Sequence, residues 1–131
     1  MGLDQYAFRV KDGERTEIAC WRKHNRLQGW MENLYIKKGG TEEFNCVDVE
    51  IGWEDIIQLA KDIDNRHLPE TGGFFFGSDS YSYITDSSSD LGHTDYQDYQ
   101  ADIDFIEIAK LALDCNDKIV YSSWWLYNVR T

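Results

Sequence analysis

The sequence predicts an α+β fold, a single domain spanning 1–131 in which an antiparallel sheet packs with about three helices. Three observations carry this expectation. Apolar residues alternate at period two around Tyr6–Val10 and Val47–Ile51, as half-buried strands require, and the segment from Lys118 to Val129 is rich in the aromatic and branched residues that strands favour. They recur at helical spacing in Leu27–Leu34, Ile56–Ile63 and Ile103–Leu113. At 131 residues and 42% hydrophobic content the chain holds enough apolar material for one core and too little length for two.

Taken in order, Tyr6, Phe8 and Val10 form a first strand, Lys11-Asp12-Gly13-Glu14 a turn, and Glu17 to Cys20 the returning strand of an N-terminal hairpin. A first helix is expected from Trp21 to about Lys37, closed by Gly39-Gly40. Its core side is Leu27, Trp30, Met31 and Leu34, its solvent side Arg22, Arg26, Gly29 and Asn33, and a third, polar strip holds Trp21, Asn25, Gln28 and Glu32. Phe44 to Ile51 reads as a strand and Glu54 to Asn65 as a second helix with Ile56, Leu59, Ala60 and Ile63 inward. Leu68 to Gly92, rich in Gly, Ser and Asp, reads as a long loop with room for a short strand around Tyr81–Tyr83. Thr94 and Gln97 form a capping box for a third helix that runs to about Asp114 with Ile103, Ile106, Ala109 and Leu113 inward. Lys118 to Val129 is the last strand, in which Trp124 is expected to pack against the apolar side of the first helix.

Composition excludes several classes. Cys20, Cys46 and Cys115 lack paired spacing, and the start has no basic-then-apolar signal segment, which predicts a reduced, cytoplasmic protein without a membrane span. The net charge of −11 is uneven: residues 1–40 carry eight Lys/Arg against five Asp/Glu, and 41–131 carry five against nineteen. No Lys or Arg lies between Arg66 and Lys110, whereas nine carboxylates do. Such a surface repels duplex nucleic acid, so no nucleic-acid partner is expected. The acidic stretch of 67–109 reads either as a solubilising face or as a surface for a cation or basic partner, and its carboxylates could also mimic nucleic acid.

Candidate binding residues cluster in Trp21-Arg22-Lys23-His24-Asn25, which brings a ring, fixed cations and an amide together. Lys23 is expected on the apolar side of the first helix, either draped over Trp30 with its ammonium in water or held against an aromatic wall as an anion-binding group. Phe74, Phe75 and Phe76, bracketed by Gly72-Gly73 and Gly77, read either as a plug that anchors the long loop or as a wall for a planar ligand. A shared site would join Trp21, Arg22, Lys23 and Asn25 to Phe74–Phe76 and accept a small anionic or planar ligand. His24, His67 and His93 are scattered without zinc-site spacing, and of Asp102, Asp104 and Glu107 only the last two share a helix face. No metal, no cofactor and no catalytic set is therefore assigned.

The opening Met1-Gly2-Leu3-Asp4-Gln5-Tyr6, the Trp21-Arg22-Lys23-x-Asn25 segment with Trp30, the Leu68-Pro69-x-Thr71-x-Gly73-Phe74-Phe75-Phe76-Gly77-Ser78 loop and the closing Tyr121-Ser122-Ser123-Trp124 occur in that order. Together they resemble a family of small phage and bacterial proteins of unassigned activity that begin MGLDMY. The resemblance implies origin and outline and lends no mechanism. Gln5 and Gln28 depart from the pattern, which has Met and His there, so no proton-transfer role follows for position 28. The function expected is that of a small acidic interaction protein, with a host protein as partner. A small enzyme or ligand pocket near Arg22, Lys23, Asn25 and Phe74–Phe76 is the alternative, as is the nucleic-acid mimic.

Overall fold

The computed structural model describes residues 3–69 and 93–125. Strands β1 (Leu3–Lys11) and β2 (Glu14–Arg22) form the hairpin, followed by α1 (Asn25–Lys37), β3 (Asp48–Ile51), α2 (Trp53–Asp64), α3 (His93–Asp114) and β4 (Lys118–Trp125). The four strands make one antiparallel sheet in the order β2-β1-β4-β3. This is the α+β architecture expected. The Phe74–Phe76 motif and the Tyr81–Tyr83 strand lie outside the described residues, as do the side chains of the Thr94–Gln97 capping box.

The hairpin closes through Asp12 and Gly13, both at positive φ (53° and 82°), the backbone of a two-residue turn whose twist matches the strands it joins. Pairing slips by one between Ala7 and Phe8, leaving Ile18 without a Cα partner. That bulge flips the alternation of β2. Ala19 and Trp21 pair with Ala7 and Gln5 on the inner face, whereas Glu17 and Arg15 pair with Phe8 and Val10 on the outer one.

Sequence periodicity placed the start of α1 four residues too early. Trp21 and Arg22 belong to β2, still paired with Gln5 and Asp4, and Lys23 turns the chain at φ 59° while its N–H donates to the Leu3 carbonyl (2.9 Å). His24 is the N-cap, its Nδ1 accepting the Leu27 N–H at 3.3 Å. Lys23 is therefore exposed in a turn and lies on no apolar helix side. The helical phase was right downstream, because Leu27, Trp30, Met31 and Leu34 are buried, but Gly29 and the expected polar residues Asn25 and Gln28 are buried too. At the other end Gly39 takes the left-handed conformation (φ 98°), and Gly40 lies so close to the Tyr35 ring that a Cβ there would fall 2.4 Å from it.

All three helices pack on the face of the sheet that carries Ala7, Trp21, Val49, Ile51, Ile119 and Tyr121, joined in the core by Ile56, Leu59 and Ile63 from α2 and Phe105, Ile106, Ala109 and Ala112 from α3. The strand predicted at Phe44–Ile51 is shorter, beginning at Asp48, and Phe44 is buried ahead of it. Trp124 is a correction. Tyr121 and Ser123 point inward, so Trp124 points away from α1 onto the open face, opposite Asp4, and is 46% exposed. Trp124→Ala is accordingly expected to lower stability by less than about 1 kcal/mol in urea unfolding, in place of a cavity-forming loss.

Candidate functional site

The densest polar chemistry among the described residues is a buried network under α1 and α3. Asp102, on the inward stripe of α3, lies 3.0 and 2.9 Å from His24 Nε2 through its two oxygens, and its Oδ1 accepts the Trp21 Nε1–H at 3.0 Å. Both His24 and Asp102 are 1% exposed. Because His24 Nδ1 accepts the Leu27 N–H, Nε2 carries the proton and donates it to the carboxylate. Gln5 clasps the His24 backbone from below: its Nε2–H donates to the His24 carbonyl and its Oε1 accepts the His24 N–H, each at 2.9 Å.

From Gln5 a second run of donors crosses the core. Gln5 Nε2–H donates to the Tyr121 hydroxyl (3.0 Å), Tyr121 donates to Gln28 Oε1 (2.6 Å), and Gln28 Nε2–H donates to Ser123 Oγ (2.9 Å). Each side chain links elements distant in sequence, so the network fixes α1 against β1 and β4 where apolar contacts alone would permit sliding. Burial pushes the Tyr121 hydroxyl far above the ordinary tyrosine value, the Asp102 charge adds to the rise, and the Gln5 hydrogen bond opposes it. Folded Tyr121 thus keeps its proton where an unfolded tyrosine, with its pKa near 10.0, would lose it. The stability that follows is fully present below pH 10.0 and is lost above it by up to about 1.4 kcal/mol per pH unit. Unfolding measured from neutral to alkaline pH should show a shallower alkaline decline in Tyr121→Phe than in the unsubstituted chain.

The arrangement does not assemble a nucleophile and base. Both His24 ring nitrogens are engaged, one by Asp102 and one by Leu27 N–H, and Ser123 contacts Gln28 rather than His24. Its chemistry is that of a neutral histidine and an indole holding a buried carboxylate.

The predicted binding residues are dispersed. Trp21 is buried against Phe105 and Tyr121, with ring centroids 5.2 and 6.2 Å away, whereas its strand neighbour Arg22 projects from the opposite face, 81% exposed, and pairs with Asp4 at 3.3 Å. Lys23 is exposed and Asn25 buried. The structure therefore does not bring Trp21, Arg22, Lys23 and Asn25 to one concave site, because strand alternation sends the first two to opposite faces. Sequence reasoning missed Asp102 and His24 as partners. A signal existed: Asp102 lies three and four positions before Phe105 and Ile106 on the buried stripe, and an acid there demands donors.

A separate groove of about 490 Å³ lies between α1 and α2, lined by Trp30, Lys37, Asp55, Gln58, Asp62 and His67 among others. Two of its three carboxylates are engaged: Asp62 accepts from Trp30 Nε1 (2.8 Å) and Gln58 Nε2 (3.0 Å), and Asp55 from Lys38 Nζ (2.8 Å) and the Gly52 N–H (2.9 Å). The Trp30 and Lys38 bonds tie α1 and its C-cap to α2. Among the described residues no group of three or more His, Cys, Asp or Glu is placed to hold a metal ion, and no helix is long and apolar enough to cross a membrane.

No protein-family model matches the chain, and neither the curated proteins nor the solved structures contain a significant match to it.

Proposed function

We propose that this chain is a small acidic binding protein, of phage or bacterial origin and working in the cytoplasm, that presents the outer side of α2 and α3 to a basic segment of a protein partner. The observation that carries the reading is the contrast between the two polar populations. Polar side chains with catalytic potential, His24, Asp102, Tyr121 and Ser123, are buried and bound to one another or to neighbouring groups, while the exposed helical layer is acidic and studded with apolar residues. Outside Asp102 and the bonded Asp55 and Asp62, α2 and the 99–114 stretch of α3 carry five exposed carboxylates, Glu54, Asp64, Asp104, Glu107 and Asp114, against Lys61 and Lys110. Trp53 and Ile57 stand exposed one turn apart on α2, and Leu111 on α3 is 66% exposed. Carboxylates around exposed apolar anchors complement a cationic amphipathic segment: charge speeds encounter and the anchors supply contact area.

The test uses a helical peptide of alternating lysine and leucine faces, titrated by calorimetry, with an acidic counterpart as control. The basic peptide should bind, more weakly as salt rises, and Ile57→Ser with Leu111→Ser should reduce affinity by about tenfold or more without changing the fold. Equal binding of both peptides, or binding indifferent to the two substitutions, overturns the reading.

A further inference from the structure

We propose that the groove between α1 and α2 binds a free basic α-amino acid, arginine or lysine. The two helices are braced at two places rather than packed along their length. Near one end the Trp30 Nε1–H reaches Asp62, and near the other Lys38, the C-cap of α1, reaches Asp55. The helices therefore run in opposite directions beside one another, and a trough of about 490 Å³ is left between the braces, within the size range of small-molecule sites. Trp30 and Leu34, 9% and 8% exposed, form its apolar floor. At about 1.5 Å per residue, Glu54 and Asp62 lie about 12 Å apart along α2, which sets the length of the trough.

Three charges in the trough select the ligand. Asp62 is held by neutral donors, Trp30 Nε1–H and Gln58 Nε2–H, and makes no ion pair among the described residues. It also sits in the last turn of α2, where the carbonyl ends of a helix favour a cation. At the other end Lys37 and Glu54, each one residue from the Lys38–Asp55 brace, line opposite walls and make no hydrogen bond or ion pair among the described residues. The Asp62 end thus calls for a cation beside an indole, and the other end for one anion and one cation.

A basic amino acid carries these three charges in this order. Its α-carboxylate pairs with Lys37 and its α-ammonium with Glu54, while its aliphatic stem lies over Leu34 and Trp30 so that the terminal guanidinium or ammonium reaches Asp62. Simpler ligands leave one group unmet. A diamine brings no anion to Lys37, and a neutral amino acid leaves Asp62 without a cation. Each omission is unfavourable, because a charge partly withdrawn from water needs a partner.

The site belongs to the α1 side of α2 and does not rest on the proposed function. Arginine titrated into the isotope-labelled full chain should shift the NMR signals of the Trp30 indole N–H and the Gln58 side-chain amide saturably. Citrulline, which has a neutral group in place of the guanidinium, and agmatine, which lacks the α-carboxylate, should each bind about tenfold or more weakly. In Lys37→Gln the affinity for arginine should fall towards that for agmatine, whose own affinity should hold or rise as the repulsion from Lys37 goes. Glu54→Gln should weaken both ligands. Lys37 and Glu54 are exposed, so neither substitution threatens the fold. The proposal is overturned if neither arginine nor lysine produces a saturable shift at Trp30 and Gln58, or if citrulline or agmatine binds as well as arginine. An arginine affinity unchanged by both substitutions overturns it too.

Discussion

Asp102→Ala should lower the free energy of unfolding by about 2–5 kcal/mol, the cost of leaving two buried donors without their acceptor. The substitution strands two donors at once. His24 Nε2–H and Trp21 Nε1–H both point at a carboxylate that is gone, in a site 1% exposed, and each unmet donor adds a desolvation penalty of about 1–3 kcal/mol. Part of that loss is offset because the buried charge goes with it. Asp102→Asn should lose less, since one amide oxygen still accepts, yet its NH2 group must then face a second N–H donor. Urea unfolding by circular dichroism measures both. A loss below about 1 kcal/mol for the alanine variant would show that water reaches the site and replaces the carboxylate.

Trp21→Ala should be comparably damaging, by about 3–5 kcal/mol, through the cavity left between Phe105 and Tyr121. Trp21→Phe separates the two contributions. It keeps most of the ring volume and removes the Nε1–H donor, so its loss, about 1–3 kcal/mol, reports the hydrogen bond to Asp102. A double-mutant cycle of Trp21→Phe with Asp102→Ala should then show coupling of about 0.5–3 kcal/mol, whereas additive losses would mean that indole and carboxylate contribute independently.

Much of the fold was legible. The Asp12-Gly13 turn, the Gly39-Gly40 stop and the inward residues of α2 each follow from local rules, and the structure has them where the pattern put them. The misplacements have identifiable causes. The start of α1 was drawn at Trp21 because helical phase can be extended backwards over any residues, and nothing in Trp21-Arg22 marks them as the last pair of a strand until Gln5 and Asp4 lie opposite. Trp124 was assigned to the core because it is large and apolar, whereas its side depends on register, and one residue of register turns every side chain over. The bulge at Ile18 hid the sides of β2 in the same way, since Arg15 and Trp21 share parity and occupy opposite faces.

The candidate site divides along the same line. Two members of the Trp21 to Asn25 segment, Trp21 and His24, reach Asp102 at separations of 81 and 78 residues. By itself the sequence determined the α+β class, the helical and strand periods, the Asp12-Gly13 turn, the glycine stop after α1 and the acidic balance, because each depends on neighbours a few positions apart or on a count. Only the tertiary structure decided that Asp102 faces His24 and Trp21, that Gln5 and Gln28 meet through Tyr121, and that Tyr6 and Phe8 of β1 lie on the face of the sheet opposite Ala7. Those depend on which strands pair and in which register, which is set by the joint burial of residues far apart along the chain.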